Sequence, residues 1–524
     1  MSGASIRRRL AVCGASAFAA WALAGCAVGP NYHTPSVRVP GQYVAVAGAP
    51  ASRRASTGAS SAELASWWRV LGDPELDSLV ERAVTGSPTV IIALDRLQAA
   101  RLYEAGLTGT LLPTVDASAA FGRGTGSDLT KGRAGEPLRS AEDTHGFTNV
   151  TTIGGFDAVW EIDLFGKLRR EIEQARYDTQ AAADARNAVL VSVIADVAQA
   201  YIDLRGLQMR ESVLRSAAVA LTRAVSIAQQ RYNRGITNQL DLTLAQRELA
   251  TVQAQIPVVA AQVSAGEYAI ATLIGRYPED LVREFAEPGM IPVVPRSVAT
   301  GLPLDLLRRR PDIEQAEREI ASANAGIGIA TADLFPQLFA TGAIGFQRGT
   351  LGAVDAGQHI WSAGPGAVWP ILDFGQLDAQ VQIADVRTRA ALENYKATIE
   401  HAVQEVDTDI VQYRAADQSV KSLATALVAS QQAVKLATER YDRGLTDYLN
   451  VVQAERAEYS IEEQYVATQA AVDDQFVELY RDLGGGWQGF QKVPPIRRPL
   501  PVVIAIFRDT LARTDPLQDP PKHP

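Results

Sequence analysis

Leu190, Ile194, Val197, Tyr201 and Leu204 step along the chain by four, three, four and three residues. Ile399, Val403, Val406, Ile410 and Tyr413 repeat that rhythm. The spacing is a heptad seam, which keeps one apolar stripe turned toward a neighbouring helix along a supercoil. Each seam lies in a proline-free stretch, and the pattern predicts helices over 167–233 and 376–442. At 1.5 Å per residue each helix would reach about 100 Å, far longer than an ordinary globular domain needs.

Both helices run into the same turn. "RYNRGITNQLDLTLAQ" (231–246) returns 209 residues later as "RYDRGLTDYLNVVQAE" (440–455). Gly235 and Gly444 fall where a helix C-terminus takes a left-handed residue. Thr237 or Asn238, and Thr446 or Asp447, can cap the helix that follows. Each copy is therefore a helical hairpin with a tight tip and a second arm of about 38 residues. Pro257 interrupts that arm in the first copy, where the second has Val466. A kink or break is expected there, making the two hairpins inequivalent.

Before each long helix the period changes to two. Val115, Ala117, Ala119 and Phe121 alternate in one copy, and Leu338, Ala340, Gly342, Ile344 and Phe346 in the other, at an offset of 223. The runs return through Val150, Thr152, Gly154, Phe156, Ala158 and Trp160, and through Trp361, Ala363, Ala367 and Trp369. These read as β-hairpins over about 113–163 and 336–373, with small residues and aromatics on one face. Pro88 and Pro113, and likewise Pro311 and Pro336, bracket alanine-rich helical segments of equal length upstream. The change of offset falls in the connecting loops, and the longer one, 122–146, is polar, glycine-rich and expected to be exposed.

One chain thus has about four strands. Four strands cannot close a barrel, and an open edge cannot face lipid. Several copies must pool their strands. The fold class is mainly α with membrane β: tandem helical hairpins plus four strands per chain. The domains read as 1–25, a signal peptide, and 26–66, a lipidated N-terminal segment. Two repeats follow, 67–278 and 279–487, with helical hairpins over 167–275 and 376–484. A proline-rich tail, 488–524, has no assigned role, and disorder is the default for such a composition.

The N-terminus carries the localisation signal. Arg7, Arg8 and Arg9 precede the short apolar stretch "LAVCGASAFAAWA", which ends in "LAGC" (23–26). The pattern resembles a bacterial lipobox. That likeness implies cleavage before Cys26, a diacylglycerol on its thiol and an acyl chain on the new amine. Several acyl chains hold a membrane where one is marginal. Residue 27 is Ala rather than Asp, which implies passage to the outer membrane.

Charge and motif content then exclude whole classes. The formal charge of −9 becomes −12 once the three arginines leave, so nucleic acid is not an expected partner. The five histidines are scattered without ligand spacing or an HExxH pattern. Gly166-Lys167 is followed by Leu168, so no P-loop is present. No enzyme, metal or cofactor is expected. No run of ~18 consecutive apolar residues follows the leader, which leaves no transmembrane helix.

"CAVGPNY" (26–32), "WWRVLGDPELDSLV" (67–80), both RYxRG tips, the two Phe-Gly helix starts and "LGGGW" (483–487) carry a further likeness. Together they resemble the TolC-like outer-membrane efflux factor family, in its lipoprotein branch. The resemblance implies a homotrimer whose twelve strands form an outer-membrane barrel, continued by twelve long helices as a periplasmic tunnel. It also implies a periplasmic adaptor protein and an inner-membrane pump, of RND type, at the tunnel's lower end. Outer-membrane lipid would surround the barrel, and drugs, dyes, detergents or similar small molecules would pass through it.

In that family the hairpin tips close the periplasmic mouth. The resemblance places gate residues at Asp241, Tyr232, Arg234, Tyr441, Arg443 and Leu449. Three Asp241 carboxylates around an axis would form a cation ring; a helix-start aspartate complementing the dipole fits the residue equally well. The family's ionic partners after the second tip are replaced here by Thr446, Asn450 and Gln453, which implies a less ionic latch. Phe121, Phe156, Trp160, Phe346, Trp361 and Trp369 can form aromatic belts or pack within the sheet. The alternative function is a non-conducting helical scaffold of the cell envelope. It accepts the hairpins but has no use for two matched, aromatic-rich β-hairpins.

Overall fold

A computed structural model describes residues 27–47, 64–125, 148–281, 283–285, 287, 289–294, 303–351 and 354–493. Cys26, most of the loop expected over 122–146 and nearly all of the proline-rich tail lie outside the described residues. Contacts group the chain into residues 1–490 and a separate stretch, 491–524.

The motif around Gly72 shows how local chemistry starts the fold. Gly72, at φ 67°, closes a single turn over Trp67–Leu71. Asp73 accepts hydrogen bonds from the Glu75 and Leu76 amides at 2.9 and 3.5 Å, and Pro74 opens α1, Pro74–Gly86. Gly-Asp-Pro is thus a C-cap, an N-cap and a first helical residue in succession. Pro88 opens α2, Pro88–Gly109. Strands β1 (Thr114–Thr125) and β2 (Thr148–Ile162) follow, then the first long hairpin, α3 (Lys167–Asn233) and α4 (Gln239–Leu273). The second repeat runs α5 (Pro311–Ala332), β3 (Gln337–Leu351), β4 (Val354–Val368), α6 (Gln376–Asp442) and α7 (Tyr448–Asp482).

The four strands form one antiparallel sheet in the order β1-β2-β3-β4. Register repeats with the sequence: Thr114 lies opposite Val159, and their counterparts Gln337 and Val368 lie opposite each other. Even a side-chain bond is copied. Trp160 Nε1 donates to the Leu111 carbonyl, and Trp369 Nε1 to the Leu334 carbonyl, both at 3.0 Å. These two tryptophans tie the sheet to the helix ends below it, while Phe121, Phe156 and Trp361 are exposed on the strands.

Below the sheet, α3 is the central element. Leu190, Ile194, Val197, Tyr201 and Leu204, the seam read from the sequence, are all buried. They share one core with Ile313, Ile320, Val406, Phe476 and Val477 from the second repeat. The tryptophan pair meets the triple glycine there: the Trp67 ring stacks on Tyr480 at 5.7 Å, and Gly486, at φ 109°, lies against Ile194 and both tryptophans. Arg205 is buried between the Tyr201 and Phe285 rings, at 4.9 and 5.8 Å, and pairs with Glu75. Tyr201 donates to Asp73 at 2.6 Å. A buried cation is tolerable only with such partners, and this one ties α1, Phe285 and the Glu287 carbonyl to α3.

Pro257 does not break α4. The helix runs unbroken from Gln239 to Leu273, 35 residues, the same length as α7. Its flanks, Val252 and Val259, are buried in a cluster with Leu214 and Leu221 of α3. Pro257 itself is exposed, and the packing of its flanks against α3 holds the helix through the missing hydrogen bond. Windows within α3 and α4 reach mean hydropathy 1.4 and 1.3. The window in α3 is 61% buried inside the chain and that in α4 28%, and both helices pair with each other as the arms of one hairpin.

The segment 27–34 straps across the tops of α3 and α5. The Val28 amide donates to the Phe165 carbonyl at 3.1 Å. Arg170, buried, donates to the carbonyls of Val28 and Gly29 and to Asn31 Oδ1 at 3.0–3.2 Å. Gly29 has φ 87°, and a Cβ there would stand 2.5 Å from the Gly328 backbone. Gly29→Ala is therefore expected to cost more than ~1 kcal/mol and to release the strap. Limited proteolysis should then cut within 27–34 much faster than in the native protein; equal rates would show that the segment is not locked by this contact.

Candidate functional site

The hairpin tips fold as their glycines require. Gly235 has φ 67° and Gly444 φ 72°. The Gly235 amide donates to Tyr232 and the Ile236 amide to Arg231, both at 2.9 Å. In the second tip, Gly444 donates to Tyr441 and Leu445 to Arg440, again at 2.9 Å. Both are Schellman closures, which satisfy the last carbonyls of the long helix. Asn238 then caps α4 through the Asp241 amide at 3.2 Å. Asp447 occupies the corresponding place before α7 without a side-chain cap. Thr446 instead accepts from Asn450 at 2.7 Å.

The two tips of one chain touch through a small apolar cluster of their own. Ala228, Leu242 and Ala245 from the first hairpin meet Tyr441, Tyr448, Val451 and Val452 from the second, separate from the main core. Arg231 is the polar link. Its guanidinium carbon lies 4.2 Å from the Tyr441 ring centre, and Nη1 is 3.7 Å from Asp442. Tyr441 in turn packs on Tyr448 at 5.1 Å. Burial, acting before any charge, raises the phenols of both tyrosines above their ordinary range. A cation over a ring contributes about 0.5–2 kcal/mol, so this junction is weak beside the main core.

The residues expected at the gate separate into two groups. Tyr441 and Asp241 lie in the junction, with the Asp241 carboxylate held by the Thr237 hydroxyl. Tyr232, Arg234, Arg443 and Leu449 are exposed. The cation over Tyr441 is Arg231, which residue-by-residue comparison missed. It stands in the repeated Arg-Tyr of the tip motif, and that pairing was the available signal.

A column of ionisable groups continues up the same face of α7. Tyr448, Val452, Glu455, Tyr459 and Glu462 keep the heptad spacing. Glu455 Oε2 is buried with no hydrogen-bond partner among the described residues. Burial first, then the charges of Glu458 and Glu248, pushes its carboxyl up to about 7. The nearby cations are engaged elsewhere: Arg456 and Arg247 pair with Glu248 at 3.4 and 3.7 Å.

Two outcomes follow from this junction. Arg231→Ala should loosen the junction between the two tips and lower the hydrogen-exchange protection of the 441–452 amides several-fold, whereas Arg234→Ala, on the exposed side, should not. The Glu455 carboxyl sits higher in the packed state than its usual 4.5, so packing is firmest with the proton on and weakens as pH rises through about 7. Hydrogen-exchange protection of the packed amides around Glu455 should therefore fall between about pH 5 and about pH 8, and this pH dependence should become flat in Glu455→Gln. An unchanged slope in that variant would remove Glu455 from the account.

Comparison with known proteins points one way. The family model described as "Outer membrane efflux protein" matches residues 79–276 and 302–485. Outer membrane protein OprJ of Pseudomonas aeruginosa is 28% identical over 89% of this chain and 94% of its own length. The toluene efflux pump outer membrane protein TtgF of Pseudomonas putida is 27% identical over 90% of this chain and 96% of its own. Among solved structures, the outer-membrane channel OprN superposes with a TM-score of 0.74 at 33% identity, covering 88% of this chain and all of that one.

Proposed function

The chain belongs to the outer membrane efflux protein family, and from that premise we propose how this outer-membrane efflux channel is assembled and what it passes. Three copies pool their strands into a twelve-stranded barrel, and α3, α4, α6 and α7 of each copy continue it as a periplasmic tunnel. The observation that carries this reading is the sheet itself: β1 and β4 are outer strands of a four-stranded sheet, joined to helices of 67 residues. Such edges are untenable in hydrocarbon unless further strands cover them.

A periplasmic adaptor and an inner-membrane pump of RND type deliver the cargo to the tips, and passage through the channel is passive. Small organic molecules such as drugs, dyes, detergents and solvents are the cargo class, consistent with the toluene efflux relative. The acyl chains sit on Cys26. The strap supports that placement, since it holds Ala27 against Gly166 at the sheet end of α3. Asp241 lines the closed mouth as a ring of carboxylates.

Purified protein in a planar bilayer tests this reading. It should give discrete single-channel steps, and Asp241→Ala should lower cation selectivity and weaken block by a trivalent cation at low salt. The effect should fade toward 1 M salt, where the Debye length is ~3 Å. Absence of any conductance would favour the envelope scaffold. Cys26→Ser should abolish incorporation of labelled fatty acid without abolishing conductance, and undiminished label would overturn the lipid assignment.

A further inference from the structure

Arg186 of α3 is 7% exposed, yet its guanidinium meets no carboxylate among the described residues. Nη1 donates to Asn187 Oδ1 at 3.2 Å, and Nη2 to the Phe490 carbonyl at 3.0 Å. Nε is buried and has no acceptor among the described residues. The charge that bears on this group is a second cation, Arg101 of α2. Burial first, and then that like charge, holds the Arg186 guanidinium below its ordinary value. Arg101 itself is half-buried and makes no ion pair among the described residues.

The other buried arginines are handled differently. Arg170 pairs with Glu173 at 2.6 Å, and Arg205 pairs with Glu75. A guanidinium taken out of water without a counter-charge is strongly destabilising, and buried donors left unpaired call for a ligand, ion or water. Nor does the repeated architecture require cations here. The equivalent positions in the second repeat hold Tyr395, also buried, and Asn324, both neutral. Donors also exceed acceptors around Phe490. Trp68 stacks on the Phe490 ring at 6.1 Å, and its buried Nε1 has no acceptor among the described residues.

We propose that Arg186 and Arg101 form a binding site for one oxyanion, a carboxylate or a phosphate, between α2, α3 and the 487–490 turn. Arg186 supplies its free Nε–H and the unused N–H bonds of its fork, a geometry that matches two oxygens of a planar or tetrahedral oxyanion. Arg101 supplies the second charge from the half-exposed side, where the ligand enters. The anion turns a repulsion between two helices into a bridge between them. Because Arg186 also holds the Phe490 carbonyl, the same ligand fastens the end of the second repeat to the first. This site is independent of how copies assemble and of what the channel passes.

Equilibrium dialysis of the full-length protein in mild detergent tests the site, with labelled inorganic phosphate in one arm and labelled acetate in the other. Chloride holds the ionic strength constant. The expected result is saturable binding of at least one of the two anions, at about one per copy. Which arm binds tells phosphate from carboxylate. Arg101→Gln should weaken binding about tenfold or more, as loss of a charged hydrogen-bond partner does. Arg96→Gln, an exposed position on the same helix, should leave binding unchanged. Arg186→Gln should abolish it; if that variant does not fold, Arg101→Gln decides. Failure of both anions to bind, or equal affinity in Arg101→Gln and the native protein, overturns the site and leaves the channel reading standing.

Discussion

A backbone amide in hydrocarbon has no water to turn to, and the rest of this architecture depends on that constraint. The four strands satisfy one another in three ladders, but β1 and β4 each keep a bare edge. The chain is therefore a segment of a closed object rather than a closed object itself. Its surface says the same below the sheet, where the helices are wet and no edge penalty applies. α3 buries Leu190, Ile194, Val197, Ile202 and Leu204, whereas α6 leaves Ile383, Val386, Val411, Val428 and Leu436 exposed. A 67-residue helix with that much apolar surface in water is unfinished.

The tips follow a different logic. They hold a separate cluster of a few side chains, an Arg-on-Tyr contact and, just above, a buried carboxyl oxygen with no hydrogen-bond partner among the described residues, while the core around α3 continues through several dozen residues. Local opening draws on the least stable contacts of a structure. The hairpins can thus part at their ends while their upper halves stay packed. The Schellman closures keep each tip intact during such a movement, because their hydrogen bonds lie within one hairpin.

Much of this was legible in the sequence because periodicity and glycine placement are local physics. The heptad seams gave both long helices their length, and Gly235 and Gly444 marked the turns. Alternation gave the strands, and the paired offsets showed that the second pair repeats the first; their register comes from the structure. Pro257 does not break its helix because Val252 and Val259 on either side pack against Leu214 and Leu221 of α3, a long-range contact that the local pattern does not encode. Arg231 was overlooked because a cation over a ring is a contact between hairpins, 210 residues apart in the sequence. The strap was equally invisible: Gly29 against Gly328, and Arg170 beneath two carbonyls, are long-range close approaches that no local pattern encodes.

The central claim is that one chain supplies a third of a closed barrel and cannot stand alone. Native mass spectrometry of the protein released from mild detergent measures this directly. The account predicts a single species of three copies at every concentration where the protein remains folded. A stable folded monomer, with its helical content intact, would contradict it.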